Sequence, residues 1–197
     1  MRGRLLQFLT RRDGAIAVEF AFVAPVMIGM FFGLTELALA LGVHADVINL
    51  SSVGSDLVAQ ESSVTTADMT NVFSALSAML YPYSTAPAQI TISSVIDNNS
   101  GVSAGAADPT GTVAWSCTQG GTARAANSVY TFPTAAQGVI ASGSGGSVIM
   151  TEVSYSYSLP VPISIPGIVN LSGPYAMSST FYSKPRRVSQ IPGATCP

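Results

Sequence analysis

The chain has 197 residues, enough for one domain plus a membrane segment, and only 9% of them are charged, against roughly 25% in an ordinary soluble domain. Four of its eight basic residues, Arg2, Arg4, Arg11 and Arg12, fall within the first twelve positions. The remainder is sparsely acidic, with Lys184, Arg186 and Arg187 as its one later basic cluster, so no nucleic-acid surface is expected.

From Ala15 to Thr35 the sole charge is Glu19. About 20 apolar residues cross a bilayer as a helix, whose backbone groups pair within the segment. Arginines precede the span and the acidic remainder follows. The positive-inside rule therefore places the N-terminus in the cytoplasm and the chain beyond about residue 40 outside. Pro25 removes one helical hydrogen bond and should bend the span. A cleaved signal peptide competes with this reading. Arg2 to Arg12 would be its basic region, Ala21 to Thr35 its apolar core and Ala38-Leu39-Ala40 its cleavage site. Glu36, between core and cut, weakens it. So does a stripe of Val43, Val47, Leu50, Gly54 and Leu57, whose 4-3-4-3 spacing suits packing against another helix. A retained helix from about Ala15 to Gln60 would be about 70 Å long.

A basic leader ends at Gly14, the apolar helix begins at Ala15, and Glu19 and Phe20 follow five and six residues after the glycine. A carboxylate inside an apolar helix is costly and asks for a reason. It could sit at headgroup level or favour the helix N-terminus. The stretch resembles the prepilin-peptidase recognition sequence of type IV pilin-like proteins, in which cleavage follows a glycine and the mature chain has glutamate fifth and an aromatic sixth. More closely, Gly14 to Pro25 with Gly33-Leu34-Thr35-Glu36 is similar to the N-terminal segment of TadE-like proteins, minor pseudopilins of the tight-adherence (Tad, or Flp) pilus machinery. Val153-Ser154-Tyr155-Ser156-Tyr157, Ala176-Met177 and Arg186-Arg187 resemble that family's C-terminal pattern more loosely. The resemblance implies cleavage between Gly14 and Ala15, with Glu19 of one subunit paired to the new N-terminus of a neighbour. Asp13 departs from the basic residue common before that glycine. The implied partners are the membrane, a prepilin peptidase, other Tad pseudopilins, the major Flp pilin and the Tad secretion machinery. Glu36, about 25 Å further along the helix, reads as solvated near the outer interface.

A second helix is expected from about Ala67 to Tyr81. Thr65 and Asp68 stand at capping-box spacing, Met69, Val72, Phe73, Leu76, Met79 and Leu80 share one face, and Pro82 ends it. Beyond Pro87 the period becomes two. Gln89–Ile96, Val148–Leu159 and Ala176–Tyr182 read as strands, and Asn98–Gly146 as a long irregular loop whose Gly143-Ser144-Gly145-Gly146-Ser147 end is a flexible turn. Pro160, Pro162, Pro166 and Pro174 make the next connection extended. Cys117 and Cys196, 79 positions apart, fit one disulfide in an oxidising compartment, with two free thiols as the alternative.

No chemistry is nominated. His44 is the sole histidine, Asp46 does not share its helix face, and no metal set, cofactor or acid–base pair can be named. The expected fold is α+β: a transmembrane helix extended as a pilin-like spine, a second helix and a small antiparallel sheet of about three strands. Residues 1–14 would be a leader open to cleavage, 15–61 the transmembrane spine and 62–197 the extracytoplasmic head. The expected function is non-catalytic assembly of Tad/Flp pili. The protein would sit in the bacterial inner membrane with a periplasmic head, and could be incorporated into a pilus or pseudopilus. Two alternatives stand beside this: a bitopic envelope-binding protein outside any filament, and an exported protein released after Ala40.

Overall fold

The structure, a computed structural model, describes residues 12–97, 110–136, 139, 146–160, 163–165, 169–171, 173–193 and 196–197. In chain order the elements are α1 (Arg12–Ala59), α2 (Thr66–Met79), β1 (Ala88–Asp97), β2 (Thr110–Gln119), β3 (Val129–Thr131), a 3-10 turn (Thr134–Ala136), β4 (Ser147–Tyr157), β5 (Ile163–Ile165), β6 (Val169–Leu171) and β7 (Tyr175–Ser183). Arg2, Arg4 and Arg11 of the expected leader, the 98–109 part of the expected loop and its 143–145 turn, and Pro162 and Pro166 lie outside the described residues.

The chain falls into two compact units, Met1–Leu41 with Leu159–Gly173, and Gly42–Ser158 with Pro174–Pro197. The first contains the apolar part of α1, a 48-residue helix with Pro25 inside it. It also contains an antiparallel hairpin of β5 and β6, registered Ile163 to Leu171, where an extended connection was expected.

The second unit is a helix-on-sheet head. Helix α2 starts at a complete capping box. The Thr65 Oγ1 accepts from the Asp68 backbone N–H at 3.2 Å, and Asp68 Oδ2 accepts from the Thr65 N–H at 2.9 Å. The short aspartate therefore reaches back as a glutamate would. The sheet is antiparallel with strand order β3-β2-β1-β4-β7. It has five strands where about three were expected. The irregular stretch hides two of them, because Thr110–Gln119 builds its alternation from small and hydroxyl residues around only Val113, Trp115 and Cys117.

Register assigns the two faces. Ile90 pairs with Val153, Ile92 with Thr151 and Cys117, and Val153 with Ser179. Those side chains share the face covered by the upper part of α1 and by α2, whose Met69, Phe73 and Leu76 are buried. Between Ser94↔Trp115 and Val95↔Val113 the register skips Ala114. This bulge turns Val113 to the opposite face from Trp115. On that face Val95, Val113, Phe132, Ala136, Val148 and Met150 form a separate buried cluster.

Candidate functional site

The first candidate is the N-terminal part of α1. Gly14 and Ala15 lie inside this helix, near its first described residue. From Ile16 to Thr35 no side chain is buried; Glu19 is exposed and Phe20 is 65% exposed. Apolar side chains such as Phe22, Met27, Phe31 and Leu34 point outward on every side, with Phe31 and Phe32 meeting edge to face at 5.6 Å. A helix that is apolar all round needs an apolar surrounding. Among the described residues this is the one helix long and apolar enough to cross a membrane, which fits a single-pass membrane protein. Thr35 donates its hydroxyl to the Phe31 carbonyl at 2.8 Å, so it brings no unpaired polar group to the span. Glu36 differs from its expected solvated state: it is only 4% exposed.

The second candidate, the stripe beyond Gly42, requires a correction. Val43, Val47 and Leu50 are fully buried within the head, and Gly54 is buried with them. A Cβ on Gly54 would stand 3.0 Å from Thr151 Cγ2 and 3.1 Å from Leu76 Cδ1. Only Leu57, at 37%, remains exposed. The stripe therefore packs against this chain's own sheet and α2, and is not left open for a neighbouring helix. Its spacing was read correctly as a packing face, but spacing alone cannot say whether the partner is internal or external. Serines invisible to that pattern complete the contact. Ser51 Oγ donates to the Ile48 carbonyl and meets Ser179 Oγ at 2.8 Å, and Ser55 Oγ donates to the Phe181 carbonyl at 3.0 Å. Small side chains at Ser51, Gly54 and Ser55 allow helix and sheet to approach closely.

The third candidate is the cysteine pair. Cys117 and Cys196 are disulfide-bonded, with Cα atoms 5.2 Å apart. Cys117 is buried on β2, while Cys196 is exposed. The bond is one of several holds on the C-terminal segment. The Arg186 N–H donates to the Ala59 carbonyl at 2.9 Å and its guanidinium pairs with Asp56; Ser147 N–H donates to the Ser189 carbonyl at 2.8 Å; Trp115 Nε1 donates to the Ile191 carbonyl at 2.9 Å. No sequence spacing marks these contacts.

A further charged pair, Arg124 with Glu152, joins the β2–β3 connection to β4. Arg124 donates through Nε and Nη2 to both oxygens of Glu152, at 2.9 and 2.6 Å, and lies 4.9 Å over the Tyr130 ring. The hydrogen bond to Glu152 raises the guanidinium pKa, as a charge-assisted bidentate contact does. Tyr182 shares a 2.7 Å hydrogen bond with Tyr130; burial first, then that bond, pushes its phenol well above the usual range. Among the described residues no three His, Cys, Asp or Glu side chains converge as metal ligands. His44 is exposed on α1 and Asp46 is half-buried.

Residues 14–56 match the family model described as TadE-like protein. The match begins at Gly14, includes Glu19 and Phe20, and covers nearly all of α1 but none of the sheet. No curated protein and no solved structure matches the chain.

Proposed function

From a chain that is TadE-like along its N-terminal helix, we propose a minor pseudopilin that acts without catalysis in the assembly of Tad/Flp pili. The carrying observation is the coincidence of that family match with an exposed apolar helix holding one carboxylate, Glu19, near its start. A prepilin peptidase would cut between Gly14 and Ala15 and create a cationic α-amino group. In lipid, either that cation or the Glu19 carboxylate is costly alone, so pairing between neighbouring subunits would set a fixed axial register. Arg2, Arg4, Arg11 and Arg12 favour a cytoplasmic N-terminus, which puts the head in the periplasm. Neighbours in this reading are other Tad pseudopilins and the major Flp pilin, contacted through the apolar Ile16–Thr35 part of α1. The test is Glu19→Ala in the native host. The variant should still be extracted with the membrane but fail to support pili; normal pili in that strain would refute the role given to Glu19.

One observation favours a second reading. The head unit begins at Gly42, so a cut by signal peptidase after Ala40 would leave that unit whole. The stripe no longer weighs against such a cut, because it serves the head's own packing. The TadE-like match runs across that position without interruption, and Glu36 still precedes it. These two features favour the retained anchor.

A further inference from the structure

The C-terminal segment crosses the head as a strap, and its last anchor can be reached from solvent. After β7 it contacts the end of α1 through Arg186, the start of β4 through Ser189 and the Trp115 side chain through Ile191, before the disulfide at Cys196. Trp115 is 8% exposed and Ile191 2%, so the strap is the cover of the only tryptophan. The fit is close: a Cβ on Gly193 would stand 2.3 Å from Trp115 Cγ. The two bonded cysteines differ, because Cys117 is buried whereas Cys196 is an exposed residue.

We propose that Cys117–Cys196 is a redox latch, worked by a dithiol–disulfide exchange partner, that locks the strap over Trp115 and onto the end of α1. A thiolate of the reductant attacks the sulfur of the exposed residue Cys196, forms a mixed disulfide and displaces the Cys117 thiolate, which takes up a proton. The second thiol of the reductant then closes on the first and releases Cys196 as a thiol. Two electrons and two protons have passed to the pair, and the reductant has become a disulfide. Oxidation runs the same steps backwards with an oxidised partner of that class. The proposal depends on the periplasmic placement for where it closes, but not for how it opens.

Reduction should therefore free the strap while the sheet persists. The test uses the full chain in a non-reducing detergent, with dithiothreitol as the reductant and a thiol titration to show that both cysteines are released. Trp115 emission should move to longer wavelength, and tryptic cleavage after Arg186 and Arg187 should accelerate about tenfold or more, as expected for a locally opened segment. Far-UV circular dichroism should stay unchanged. Cys196→Ser should show the reduced behaviour without reductant, and Gly193→Ala should shift Trp115 emission with the bond intact. Unchanged Trp115 emission after both thiols appear would show that the strap holds without the bond. Loss of the circular dichroism signal on reduction would show a global staple instead of a latch. Either result overturns the proposal, and neither bears on whether the protein assembles pili.

Discussion

At Gly54, the absence of a side chain lets α1 meet the sheet, since Thr151 and Leu76 already occupy the space a Cβ would approach. Gly54→Leu should destabilise the head by about 1–3 kcal/mol through overpacking, measured as a lower midpoint in chemical denaturation. Gly33→Leu is the control, because nothing lies within 4 Å of that position. Tyr182 gives a second residue-level outcome. Its phenol pKa is raised by burial and by Tyr130, so the stabilisation is complete below the ordinary tyrosine value near 10 and is lost as pH climbs toward the folded value. Head stability should fall as pH rises beyond about 10, and Tyr182→Phe should flatten that fall. A slope unchanged by the substitution would assign the alkaline loss to other groups. Gly54 could be read from its stripe as a packing position. Tyr182 could not, because its partners Tyr130 and Glu152 come from distant strands.

Among the elements, α2 shows what local chemistry specifies. Its cap, its inward Met69, Phe73 and Leu76, and its end before Pro82 were all readable, since each depends on residues within one or two turns. Hydrogen bonds from Thr65, side chain first and then backbone, hold the Asp68 carboxyl below its usual range. A depressed carboxylate pKa contributes stability above the unfolded value and loses it as pH falls through the folded one. Amide exchange in the first turn of α2 should therefore quicken as pH drops below the ordinary aspartate value near 4, once corrected for intrinsic rates. Thr65→Ala should cost about 1 kcal/mol, with the faster exchange confined to that helix. Strands β1, β4 and β7 were legible because large apolar or aromatic residues alternate with serines and threonines. Strand β2 was not, because its neighbours, not its own composition, supply most of its burial. The bulge at Ala114 also breaks the period of two where Trp115 and Val113 turn to opposite faces.

Across the molecule, the apolar span and the TadE-like stretch were legible because both are local runs of sequence. Lipid imposes a length and a polarity, and the family match begins at Gly14 within the same helix. The destination of the stripe was hidden, because a periodic apolar face looks the same whether the chain's own sheet or another subunit covers it. The structure resolves this: Val43, Val47, Leu50 and Gly54 belong to the head, and Ile16–Thr35 is the part of α1 with no buried side chain. Cross-linking should accordingly capture neighbouring subunits from positions such as Phe22, Met27 and Leu34, and not from Val47 or Leu50. The central claim, an anchor processed for pilus assembly, is tested most directly by the mature N-terminus of the protein from its native host. Intact mass and N-terminal sequence of the membrane-extracted chain should give Ala15. Met1 or Arg2 retained would contradict the processing step, and Leu41 in a soluble fraction would contradict the anchor itself.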